Sequence, residues 1–204
     1  MRSVYAFVIG LIFLVAGQAV SAEQGKAPEI GRGHAATAPQ RAGSSKARLD
    51  ELFADLKRER NEKAAERIAG RIWEEWFKSG SATVDLMMQW STEAVEAKKY
   101  DVALDFLDQV IVLAPTYAEG WNRRATVHFM MQNYGKSMAD IERTLELEPR
   151  HFGALSGMAQ IMKNTGRKEL ALEAYQRVLT IYPMMRGAQN EVTTLSEELA
   201  GEGI

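Results

Sequence analysis

The chain has 204 residues, enough for one ordinary domain with appendages. Its 25 Lys and Arg nearly balance 27 Asp and Glu, and the absence of a dense basic block argues against a broad nucleic-acid surface. There is no cysteine, which excludes disulfides, thiolate nucleophiles and zinc or iron-sulfur sites with sulfur ligands.

Residues 1–22 have one basic side chain, Arg2, an apolar run from Val4 to Ala16, and small residues ending in Val20, Ser21 and Ala22. That three-part shape predicts a secretory signal cleaved after Ala22, and therefore a periplasmic mature chain. The alternative is retention as an inner-membrane anchor facing the periplasm, although the apolar run is shorter than the ~20 residues a stable span needs. Residues 23–47 are rich in Ala, Gly, Pro, Ser and Gln without apolar periodicity, so a flexible linker is expected. His34 stands alone there and makes no metal site.

Beyond the linker the sequence keeps time. Pro115, Pro149 and Pro183 are each 34 residues from the next, each following a stretch with helical periodicity. With proline at position 32, three units are framed: 84–117, 118–151 and 152–185. Small residues recur at position 8 (Ser91, Ala125, Ala159) and position 20 (Ala103, Ser137, Ala171). Large ones recur at position 4 (Met87, Trp121, Leu155) and position 24 (Leu107, Ile141, Tyr175). Small side chains let two antiparallel helices approach, large ones fill the space beside them, and proline ends the second helix of each pair.

On Trp121, Ala125, Leu155, Ala159, Ala171, Tyr175 and the three prolines, the sequence resembles the tetratricopeptide repeat family. The resemblance implies an all-α, right-handed superhelical solenoid. Arg124 and His128 depart from it at usually apolar positions, and Ser137 replaces the common alanine. Carried back, the frame places Phe53, Leu56, Ala69, Trp73 and Trp76 at repeat positions, so residues 48–83 read as a degenerate first pair of helices. Carried forward, Ala188, Val192, Leu195 and Leu199 form one stripe, and 186–204 is expected to be a capping helix and tail.

No chemistry stands out. His128 and His151 have no cysteine or carboxylate motif beside them, and there is no phosphate loop, nucleophile elbow or metal-ligand pair. No cofactor, metal or catalytic residue is expected. In the family, the first helix of each unit lines a concave groove through positions 2, 5, 6, 9, 12 and 13. The resemblance then implies a peptide- or protein-binding groove formed by Met88, Thr92, Asn122, Arg123, Thr126, Phe129, Met130, Ser156, Gln160, Lys163 and Asn164. Some family members grip a C-terminal carboxylate with Lys and Asn at positions 5 and 9. Here those pairs are Met88 with Thr92, Asn122 with Thr126 and Ser156 with Gln160, so that clamp is absent. The chain resembles secreted tetratricopeptide repeat proteins of Gram-negative bacteria, which implies a noncatalytic scaffold or adaptor in cell-envelope complex assembly with a protein or peptide partner and no nucleic acid. The alternatives are a self-associating structural protein, a possible homo-oligomer, and an accessory subunit of an envelope enzyme complex.

Overall fold

The computed structural model describes residues 38–202. The expected signal peptide and the linker up to residue 37 lie outside the described residues. Among the described residues there are nine helices and no strand: α1 (Ala38–Arg58), α2 (Glu62–Trp76), α3 (Ala82–Glu96), α4 (Tyr100–Leu113), α5 (Ala118–Met130), α6 (Tyr134–Leu147), α7 (Phe152–Asn164), α8 (Lys168–Ile181) and α9 (Arg186–Glu202). Helix α1 begins inside the stretch expected to be linker, so that expectation is corrected for residues 38–47.

The 34-residue beat is visible in the backbone. Ala114, Glu148 and Tyr182 close α4, α6 and α8 with φ near −137°, −137° and −125°. Each precedes a proline, whose ring pushes the residue before it out of the helical region. At the other turn of each unit Lys98, Gln132 and Gly166 adopt left-handed φ of 58°, 60° and 75°. The next amide in each case reaches back to the first helix: Lys99 to the Ala94 carbonyl, Asn133 to His128 and Arg167 to Met162. These bonds satisfy carbonyls that a helix end leaves unpaired.

Three hairpins result, α3–α4, α5–α6 and α7–α8, each with the small position-20 side chain fully buried at its centre: Ala103, Ser137 and Ala171. Ser137 fits because its hydroxyl donates to the Ala125 carbonyl at 2.8 Å. Successive hairpins also approach closely. A Cβ on Gly120 of α5 would sit 2.8 Å from a Val110 methyl of α4, so only glycine allows that approach. Arg124, anomalous in the sequence, is held by Asp140 at 2.7 and 2.8 Å and by Asp108 of the preceding unit at 2.7 Å. Helix α9 covers the last hairpin, with Ala188 and Leu195 buried in the same core as Ala174 and Val178.

The expected degenerate first pair is a helical hairpin, but it does not stack ahead of α3. Leu52, Phe53, Leu56, Ile72 and Trp76 share one core with Phe152, Leu155, Tyr175 and Leu195, whereas the core of α3 and α4 contains no α1 or α2 residue. Helix α2 instead runs back along the stack. Its exit meets α5, where the Tyr117 hydroxyl donates to the Phe77 carbonyl at 3.1 Å. Its last turn meets α7, where Trp73 and Trp76 pack on Phe152 at 5.6 and 5.0 Å. Its start meets α9, where Glu62 pairs with Arg186 at 2.8 Å. Helix α1 adds an ion pair from Asp50 to Arg150 at 2.7 Å, and the Arg150 guanidinium lies 4.2 Å from the Phe53 ring centroid.

Candidate functional site: the face of the first helices

The first helices of the three units, α3, α5 and α7, carry all the expected groove residues, and the hairpin divides their common face. Its amino-terminal part is closed. A Cβ on Gly153, at position 2 of α7, would lie 2.8 Å from the Trp73 ring, so glycine makes the seat for that indole. Arg123 at position 6 of α5 lies 5.2 Å over the Phe77 ring and donates to Glu119 at 3.0 Å.

Below the indoles is a buried polar knot that the sequence reading did not identify. Glu119 and His151 are almost fully buried. His151 caps α7, its Nδ1 accepting from the Ala154 amide at 3.1 Å. The ring proton is therefore on Nε2, which donates to Glu119 Oε2 at 3.2 Å. Asn122 donates to the same oxygen at 2.9 Å. Burial alone would push the Glu119 carboxyl up, but the His151 hydrogen bond and the charge of Arg123 outweigh it and hold the group below the usual carboxylate range. The imidazole stacks on Trp76 with centroids 4.0 Å apart and planes 6° from parallel. One histidine thus caps a helix, orients a carboxylate and seats the hairpin. The signal for this role in the sequence is a histidine directly ahead of a helix start.

Two expected groove residues are withdrawn from the surface, one by this knot and the other by the core of its own hairpin. Asn122 is only 8% exposed and is spent on Glu119, and Met88 is 8% exposed within the α3–α4 core. Three others turn inward to their own helices: the hydroxyls of Thr92, Thr126 and Ser156 donate to the Met88, Asn122 and Phe152 carbonyls. Lys163 pairs with Glu191 of α9 at 2.5 Å.

The carboxyl-terminal part of the face is where the remaining residues meet. Phe129 packs on Tyr134 with centroids 5.8 Å apart. Asn164 donates to the Tyr134 hydroxyl at 3.3 Å and accepts from Gln160 at 2.9 Å, and Gln160 accepts from the Tyr175 hydroxyl at 3.2 Å. Phe129, Gln160 and Asn164 are therefore joined through Tyr134, which the sequence reading omitted, and Met130 remains partly exposed on α5. Among the described residues no group of three His, Asp or Glu is placed to hold a metal, and no helix is long and apolar enough to cross a membrane.

A TPR repeat-containing protein of Rhizobium etli is 57% identical over 160 residues, covering 78% of each chain. The chain belongs to the tetratricopeptide repeat family. No protein-family model matches this tetratricopeptide repeat protein. It is 31% identical over 117 residues to the small glutamine-rich tetratricopeptide repeat-containing protein 2 of Saccharomyces cerevisiae, spanning 34% of that protein's length. In fold it is similar to the first TPR of Spaghetti (RPAP3), solved bound to the HSP90 peptide SRMEEVD, with a TM-score of 0.56, 22% identity, and coverage of 59% of this chain and 95% of that one. MamA gives a TM-score of 0.54 at 19% identity over 68% of this chain and 81% of that one.

Proposed function

We propose that the protein is a noncatalytic scaffold that holds a segment of a partner protein on the open, carboxyl-terminal part of the face formed by α5 and α7. The observation that carries this reading is the row Phe129, Tyr134, Asn164 and Gln160, an aromatic pair beside linked amides on two adjacent units. Such a row can bury one apolar side chain and hydrogen-bond an extended backbone. The Spaghetti domain was solved with a peptide, which supports a peptide-holding role for this fold. The missing Lys and Asn pair at positions 5 and 9 argues for a ligand other than an acidic C-terminal tail.

The leader-like residues 1–22 support export to the periplasm, where the scaffold would organise a cell-envelope complex. Fractionation tests this part: a periplasmic protein whose first residue is Glu23 supports export, and a cytoplasmic protein starting at Met1 overturns it. A photocrosslinking residue placed at Met130 or Gln160 in living cells should trap a partner segment, while one at Arg143 or Glu173 on the second helices should not. Equal trapping from both sets would overturn the groove assignment.

A further inference from the structure

Every internal joint of the stack is built alike, with the front of a first helix meeting the back of the second helix before it. On α5 the contacts come from positions 3, 7 and 10: Gly120 lies under Val110, Arg124 reaches Asp108, and Val127 is buried in the core of α3 and α4. On α7 the same positions are Ala154, Met158 and Ile161, gathered around Ile141 of α6. On α3 they are Leu86, Trp90 and Glu93. Among the described residues no helix covers them, because the hairpin that precedes α3 in the chain lies over α7.

The uncovered surface is apolar. Leu86, Trp90 and Val102 are 42, 40 and 42% exposed. Trp90 and Phe106 pack at 5.4 Å in the places where the middle unit holds the Arg124–Asp140 ion pair. With Ala94 and Ala97 they line an open cleft of about 410 Å³ rimmed by Glu93 and Lys99. Monomeric proteins seldom leave an aromatic cleft flanked by polar groups without a use for it. Charge narrows the occupant. Leaving aside Asp108, which is paired with Arg124 at the joint behind, the unit 84–117 has Asp85, Glu93, Glu96, Asp101 and Asp105 against Lys98 and Lys99. A second copy would set acid against acid, which is unfavourable, whereas a basic partner is attracted.

We propose that the front of α3 and α4 is a docking surface for an amphipathic helix of a partner protein, with aliphatic residues on one face and Lys or Arg along its edges, which completes the stack as its leading helix. The internal joints set the geometry: the incoming helix lies where α4 lies on α5. This surface is separate from the groove and does not depend on it.

The test titrates the full chain with a fluorescein-labelled peptide of about 16 residues, long enough to hold a helix, carrying Leu and Val on one face and Lys at the edges. Controls are the same peptide with Glu at the edges and a scrambled version. Saturable binding of the Lys peptide is expected, with the Glu and scrambled peptides weaker by about tenfold or more. Trp90→Ser and Val102→Lys should each weaken it by about 30-fold, as loss of an anchor does, with the helical fold retained in circular dichroism because both side chains lie at the surface. Glu93→Lys with Asp101→Lys should reverse the preference between Lys and Glu peptides, and Phe129→Ala in the groove should leave binding intact. Binding indifferent to Trp90→Ser, or equal for all peptides, overturns the proposal. A dimer in sedimentation that Trp90→Ser abolishes assigns the face to a second copy and also overturns it. So does faster hydrogen exchange of α3 and α4 on deleting residues 1–37, which assigns the face to the chain itself.

Discussion

At the carboxyl end of the stack α9 roofs the last hairpin and leaves Leu195 fully buried, whereas at the amino end Leu86 and Trp90 of α3 face solvent. Chain order would supply a cover for each end. It does so only at the carboxyl end, because the leading hairpin has a better place to go. On α7 it finds Gly153 for Trp73, a coplanar imidazole for Trp76 and Arg150 for Phe53. The surface of α3 offers no such seat, only an open cleft rimmed by Glu93 and Lys99. Specific complementarity has overridden the neighbour-on-neighbour rule that governs the other joints.

The difference can be broken most forcefully at Trp76. Trp76→Ala should cost roughly 3–5 kcal/mol in urea unfolding, the range for emptying a buried aromatic site. Hydrogen exchange should then rise in α1 and α2 while α3 to α6 keep their protection. Trp76→Phe should be much milder, since the buried indole nitrogen has no hydrogen-bond partner to lose. Unchanged exchange in α1 and α2 after Trp76→Ala would show that the hairpin is held by something else.

Matched leucine truncations sharpen the comparison of the two ends. Leu195→Ala should cost about 2–5 kcal/mol. Leu86→Ala, on the bare face, should stay within about 0.5 kcal/mol of the parent protein. Similar losses at both positions would mean that α3 is covered in solution.

A smaller effect is expected from the polar knot. Glu119→Gln weakens charge-assisted bonds from His151 and Arg123 and should cost about 2 kcal/mol at neutral pH. Because the folded Glu119 titrates below its unfolded value of about 4.3, the unfolded chain binds the extra proton. Its contribution is present above that value and is lost as pH falls through the lower folded one. The parent protein should therefore destabilise over that acid range, and Glu119→Gln should flatten this limb when unfolding temperature is followed against pH.

The solenoid was legible because its signals are local and repeated: Pro115, Pro149 and Pro183 fix the turns, and Ala103, Ser137 and Ala171 fix the closest approach within each hairpin. The path of α1 and α2 was not. Phe53, Trp73 and Trp76 match the repeat frame as well as they match the surface of α7, and periodicity records which face of a helix is buried without naming what buries it. The site was read in part for the same reason. Position rules place Phe129, Gln160 and Asn164 on the first helices, but they say nothing of Asn122 being spent on Glu119, a carboxylate fixed by His151 from the next repeat junction, or of Met88 being taken into the core of α3 and α4. The composition of residues 38–47 predicts a linker, and in the structure they form the first turns of α1.

The curvature and twist of a stacked-repeat solenoid follow from the small rotation of each hairpin against the one before it. Helix α2 is fastened at three points along this solenoid, to Tyr117, to His151 and Phe152, and to Arg186. Stretching the coil between α5 and α9 would shear all three fastenings together, so that half is stiff. Among the described residues, the joint between α4 and α5 is held by its own contacts, the Arg124–Asp108 ion pair and the seat of Gly120 under Val110, with α2 touching it only at its exit.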